Sequence, residues 1–219
     1  MTLMQQKVRV AGGTETIVVG MRGHRAAVEF AKALSTIFNP FLCASALFII
    51  VSHAFSVSTK EFWVLSALSV TIYTVAPLAC LLFLYVTGRI SDFDMSDRFE
   101  REKIFLIIVA IDLIAALAYT VAQVPVQIIA IAWGYWATAL VTMVITRYWK
   151  ISTHAFGIAG PFAIMFLLFR LQPLPYVPLV PLVCWARVYL RAHTVAQVLA
   201  GVLLAIASTL VFFRLFHLL

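Results

Sequence analysis

The chain's 219 residues are 63% hydrophobic and 11% charged, and 16 lysines and arginines against 9 acidic residues give a formal net charge of +7. A soluble domain is about half apolar and about a quarter charged, so this composition excludes a soluble globular protein and, more firmly, a disordered one. A pI near 9.6 beside a mean hydropathy of +1.03 points to anionic lipid rather than nucleic acid as the partner, because no basic stripe sits on a soluble face.

Residues 1–29 are polar, contain glycine and lack the continuous apolar core of a cleavable signal peptide. Residues 1–35 read as a polar N-terminal tail, with 1–23 as a lead segment. Within 24–35, Ala27, Phe30, Ala31 and Leu34 recur at helical spacing, while Arg25, Glu29 and Lys32 fall on other faces. That pattern fits a short interfacial helix and, equally, a simple lead-in to the first span.

Residues 36–219 read as a single transmembrane domain. Seven apolar segments follow one another at about 36–57, 61–87, 104–123, 126–148, 155–170, 177–190 and 194–216. A crossing needs about 20 apolar residues, so the expectation is an all-α polytopic helical bundle of six or seven transmembrane helices. The segments 155–170 and 177–190 are short and hold Pro161, Pro178 and Pro181, whose freed carbonyls require neighbouring helices. Short connections at Ser58–Lys60, Val124–Pro125 and Gln172–Tyr176 make antiparallel hairpins the natural arrangement. Tyr85, Tyr148 and Trp149 fall near span ends, as interfacial belt residues do, and Trp133 and Trp136 fall mid-span as packing residues. Cys43, Cys80 and Cys184 are scattered within apolar segments, as small hydrophobes rather than a disulfide or metal framework.

Counting spans alternately puts 1–35, 88–103, 147–154 and 187–193 on one face of the membrane. Thirteen of the sixteen cations lie there, and only Lys60, Arg170 and Arg214 lie towards the other. The positive-inside rule accounts for this by making the crowded face cytoplasmic. Convergence of the loops around an anion is the competing explanation, although the tail alone, five cations against three, still favours an inside tail. The loops hold Arg98, Arg101 and Lys103, then Lys150, Ser152 and His154, then Arg187, Arg191 and His193. Cations with hydroxyl donors suit the charge spread over a phosphoryl group, and two histidines add a nucleophile and a proton donor. No carboxylate cluster suited to magnesium accompanies them, so metal-free, cofactor-free chemistry is expected. The acidic run Asp92, Asp94, Asp97, Glu100 and Glu102 reads as a solvated loop, in preference to one that neutralises nearby arginines and moderates anion binding. Asp112, deep in the third segment, is expected to pair with a neighbouring polar group, although an intramembrane acid is a functional candidate in its own right. His24, His53 and His217 are isolated and read as interfacial or packing residues, and Arg191 as a snorkelling one.

The stretch from Arg187 through His193 to Gln197, followed by Val198-Leu199-Ala200-Gly201, resembles the third signature of the type 2 phosphatidic acid phosphatase superfamily. That signature is Ser-Arg, five residues, His, three residues, Asp. Ile151-Ser152-Thr153-His154 resembles the second, Pro-Ser-Gly-His, and keeps its serine and histidine. Arg101 takes the arginine position of the first, in which Asp94 stands for lysine and Glu102 for proline. The resemblance implies an integral enzyme of the cell (inner) membrane that hydrolyses a lipid phosphate or diphosphate, phosphatidate-like or polyprenyl. In it His193 forms a phosphohistidine and His154 protonates the leaving oxygen, then activates water. Arg101, Arg187 and Ser152 hold the phosphoryl oxygens, and Lys150 joins them by its position beside Ser152. Gln197 stands where the family's Asp orients the nucleophile, and it brings a hydrogen bond without a charge. That neutral residue and the altered first signature define the alternative, a silent lipid-headgroup-binding or assembly protein of the same fold. A transporter is a further alternative, disfavoured by the lack of an inverted repeat. Lipid phosphate and bilayer lipids are the expected partners, nucleic acid is not, and a homo-oligomer is compatible with the composition.

Overall fold

A computed structural model describes residues 19–91 and 98–219, with side chains from His24 to Ser91 and from Phe99 onward. Every element described is helical. The helices are α1 (Val19–Ile37), α2 (Pro40–Phe55), α3 (Thr59–Val86), α4 (Arg98–Val121), α5 (Val126–Thr146), α6 (Thr153–Phe169), α7 (Leu179–Tyr189) and α8 (Val195–Leu215). A 3₁₀ turn, Leu174–Tyr176, leads into α7. All seven expected apolar segments are helices, α2 to α8.

Local chemistry sets the ends. Asn39 caps α2, its Oδ1 accepting from the Phe41 amide at 3.0 Å, and Pro40 occupies the first turn, where its missing N–H costs nothing. Ser58 caps α3 by accepting from Glu61 N at 3.1 Å, and Glu61 reaches back to the Val57 amide at 2.7 Å. Within α3 the turn Thr71–Val75 widens to a π-helix just before Pro77. Pro77 has no N–H to give to the turn below it, and widening that turn keeps the helix continuous. Pro161 sits inside α6 and is itself buried among neighbouring helices.

Four helices are individually long and apolar enough to cross a membrane: Thr59–Val86, Phe99–Val121, Val126–Thr146 and Val195–Leu215. The pair His24–Ile37 and Pro40–Phe55 passes that test together, bent by 47° at the Asn39-Pro40 break. Length is what separates this from six or seven full crossings. α6 has 17 residues and α7 has 11, so at 1.5 Å per residue neither alone reaches the roughly 30 Å of a hydrocarbon core. The outward faces are apolar: Leu106, Ile114 and Leu117 on α4 and Leu199, Leu203 and Leu210 on α8 are all exposed. Such a surface is stable against lipid and not against water, and the chain is an integral membrane protein. Tyr85, Tyr148 and Trp149 are exposed near helix ends, where belt residues belong.

The core lies where α2, α3, α4, α5 and α8 meet, around Phe48, Tyr73, Tyr119, Ile128, Ile131 and Phe213. Phe48 stacks on Tyr73 with centroids 4.3 Å apart. Trp133 and Trp136 meet edge to face, and Trp133 Nε1 donates to Thr120 Oγ1 at 3.1 Å, which is the packing role expected of them. Cys43 is buried beside Ile158, Phe162 and Val183, whereas Cys80 and Cys184 are only partly covered. The helix anticipated over 24–35 extends over Val19–Ile37, and its Ala31 and Leu34 pack on Ala186 of α7. His24 accompanies them by hydrogen bonding Tyr189 at 3.0 Å, and His53 packs edge-on against Phe62.

Two glycines permit the closest approaches. A Cβ on Gly201 of α8 would stand 2.7 Å from the Ser152 carbonyl oxygen, and one on Gly157 of α6 would stand 2.5 Å from Pro40 Cβ. Small residues of this kind let helix backbones close on one another in a bilayer. The Gly201 contact and the Ser152 N–H donating to the Gln197 carbonyl at 3.3 Å join the start of α6 to the start of α8.

Candidate active site

That junction gathers the candidate residues. The connections 147–152 and 190–194, the start of α4 and the end of α1 all meet at one end of the bundle. Arg101, Lys150, His154, Arg187 and His193 line a single cavity of about 170 Å³ there. Arg101, Arg187 and His193 are 6%, 4% and 8% exposed, an unusual depth for ionisable side chains in a membrane domain.

Arg101 owes its inward position to helical period. Arg101, Ile104, Phe105, Asp112, Ala115 and Tyr119 form the buried stripe of α4, while Lys103 is exposed one step off it. Arg187 is the last basic residue of α7. The helix closes through Arg191, whose φ of 56° is left-handed, and the amides of Ala192 and His193 return to the Arg187 carbonyl at 3.1 and 3.3 Å. His193 is therefore anchored by backbone to the residue whose guanidinium shares its cavity. Arg191 itself is exposed, as a snorkelling side chain is.

Gln197 lies behind the histidine rather than in the cavity wall. Thr194 and Gln197 form a reciprocal capping box at the start of α8. The Gln197 Oε1 accepts from the Thr194 amide at 3.0 Å and from His193 Nδ1–H at 3.3 Å. An amide oxygen can only accept, so this contact assigns the proton of the neutral ring to Nδ1 and leaves the lone pair on Nε2. Burial pushes the His193 imidazole down to about 3, the Lys150 and Arg187 charges add to the effect, and the Gln197 hydrogen bond opposes it. At neutral pH the ring is uncharged.

Ser152 is fully buried as the cap of α6, its Oγ accepting from the Ala155 amide at 3.4 Å. It stands beside the cavity and not among its lining residues. His154 is half-buried, and its Nε2–H donates to the Ser35 carbonyl oxygen at 3.1 Å. This use of the end of α1 to orient a site histidine has no sequence signal, since a backbone carbonyl is supplied by any residue.

The acidic run divides. Asp92, Asp94 and Asp97 lie outside the described residues, as does the Arg98 side chain. Glu100 accepts from Ser91 N and Oγ at 2.9 and 3.0 Å, and Glu102 pairs with Arg147 at 2.7 Å. Its last two members are thus paired rather than simply solvated, Glu102 with an arginine 45 residues away, and Arg147 lies at the surface instead of in the cavity wall. Asp112 departs from expectation in the other direction. It is buried and lines the same cavity below the cations, with no hydrogen-bond partner among the described residues.

No family model, curated protein or solved structure matches the chain.

Proposed function

We propose that the protein is a membrane-embedded phosphatase of the type 2 phosphatidic acid phosphatase kind, hydrolysing a lipid phosphate or diphosphate in the cell membrane. One observation carries the reading. Two histidines and three cations from three separate stretches of the chain line one cavity, with His193 held as an Nδ1–H tautomer beside two fixed positive charges. Guanidinium and ammonium donors gathered on one cavity suit an anionic phosphoryl group, and a neutral imidazole is the protonation state a nucleophile needs.

In the reaction His193 Nε2 attacks phosphorus and the P–O bond to the lipid breaks. The leaving oxygen takes a proton from His154. Ser35 holds the Nε2–H of His154, so proton exchange belongs to its Nδ1. Water then attacks the phosphohistidine, giving its proton to His154, and inorganic phosphate leaves. Arg101, Lys150 and Arg187 balance the charge on the phosphoryl oxygens throughout, Ser152 fixes the start of α6, and Gln197 keeps the His193 ring oriented.

Gln197 is also the observation that favours the second reading, a silent headgroup-binding relative, because its amide cannot stabilise an imidazolium as a carboxylate does. Phosphate release separates the two. Protein in detergent with chelator, given phosphatidate and polyprenyl diphosphate in turn, is expected to release phosphate, and His193→Ala and Arg187→Ala are expected to abolish it. Binding of both lipids with no release from either, in wild type and His193→Ala alike, makes the protein a silent headgroup binder.

A further inference from the structure

The cavity does not end at the cations. On the inward face of α4 Asp112 follows Arg101 by eleven residues, three turns and roughly 16 Å along the axis, and both line it. Between them the walls are mostly apolar, with Phe105, Ile108, Ile131 and Ala139, and the Thr138 hydroxyl donates to the Gly134 carbonyl oxygen. At the deep end Asp112, 5% exposed, is joined by Tyr73, 3% exposed, and by Tyr135. The two tyrosine rings meet edge to face with centroids 5.5 Å apart, and both hydroxyls are buried without a hydrogen-bond partner. Tyr73 comes from the π-turn that precedes Pro77, so the helix irregularity and the orphan hydroxyl coincide.

Three polar groups on residues that line one cavity inside a bilayer, with no hydrogen-bond partner among the described residues, are costly unless a bound group satisfies them. We propose that Asp112, Tyr73 and Tyr135 form a second subsite, which takes a hydroxyl carried on the tail of an amphipathic phosphate whose head lies against Arg101, Lys150 and Arg187. A hydroxyl donates to the carboxyl and accepts from a phenol at once, whereas an ammonium can only donate. A plain hydrocarbon tail in the same place buries all three groups dry, so it is rejected from the deep end of the cavity. The subsite narrows the substrate class to phosphates with a hydroxylated chain, and it rests on the anion-binding reading of the cavity mouth.

The test is binding, not turnover. Dodecyl phosphate and ω-hydroxydodecyl phosphate have chains that cover the distance from the cations to Asp112. Their affinities are measured on the full chain in lipid nanodiscs, with empty nanodiscs subtracted. The wild type is expected to bind the hydroxylated compound at least tenfold more tightly. The preference is expected to vanish in Asp112→Leu and in the gentler Tyr73→Phe/Tyr135→Phe pair, with dodecyl phosphate binding retained. Equal affinity for the two compounds in the wild type overturns the proposal and leaves water as the occupant. If neither phosphate binds, dodecanediol decides. A thermal shift with it in the wild type, absent in the double Phe variant, means that the anion reading fails while the subsite stands. No shift means that both fall.

Discussion

Replacing Gln197 by Glu tests the centre of the proposed chemistry with little change of shape. Glu fills the same capping-box position and accepts from the Thr194 amide as Gln does, so α8 keeps its first turn. The new charge stands where Oε1 now lies, 3.3 Å from His193 Nδ1. Two unit charges at that separation interact by about 5 kcal/mol at an effective dielectric near 20. Gln197 is partly exposed, and halving the figure for solvent screening leaves about 2.5 kcal/mol, a gain of about 70-fold in the proton affinity of the imidazole. The ring now sits at about 3 because of burial and the Lys150 and Arg187 charges. NMR titration of ¹³C-labelled histidine, with the His193 signal assigned by its loss in His193→Gln, reads the change directly. In a serine protease the opposite exchange, acid to amide, costs about 10⁴ in turnover. A tenfold or greater rise in phosphate release is therefore expected of Gln197→Glu. An unmoved His193 titration in a stably folded variant refutes the electrostatic argument. A raised titration with unchanged turnover refutes the assignment of His193 as nucleophile.

Two other outcomes follow from the same junction. His193 is protonated more readily in the unfolded chain, near 6.5, than in the folded one, near 3, so its contribution to stability is present above 6.5 and is lost as pH falls through the window between these values. Lowering the pH from 6.5 to 5 is expected to cost about 2 kcal/mol, read as a falling melting temperature in detergent, and His193→Gln is expected to remove that slope. Gly201→Ala places a Cβ 2.7 Å from the Ser152 carbonyl oxygen. Separating α6 from α8 to relieve it is expected to cost about 1–3 kcal/mol and to lower turnover further than stability, since His154 and His193 lie on opposite sides of that contact. Equal melting temperatures and turnover for Gly201→Ala and wild type would show that the contact sets neither.

The helices were legible because a bilayer leaves the backbone few choices: apolar runs of near-spanning length become helices. Their exact starts, capped by Asn39, Ser58, Ser152 and Thr194, came from the structure. Spacing also brought out Arg101, His154, Arg187 and His193, since charged residues beside apolar spans are rare enough to be conspicuous. How far each helix crosses was not legible, because α6 and α7 are short and their depth depends on the helices around them. Ser152 and Gln197 read as site residues by position, yet their side chains serve helix caps behind the cavity wall, a distinction made by rotamer and packing. The pairing of Glu102 with Arg147, the Ser35 carbonyl on His154 and the cavity reaching Asp112 join residues far apart in the chain. Sequence determined which groups exist and which helical face carries each; only the packing of α4 on α5, and of α5, α6 and α7 on α8, decided which of those faces share a cavity.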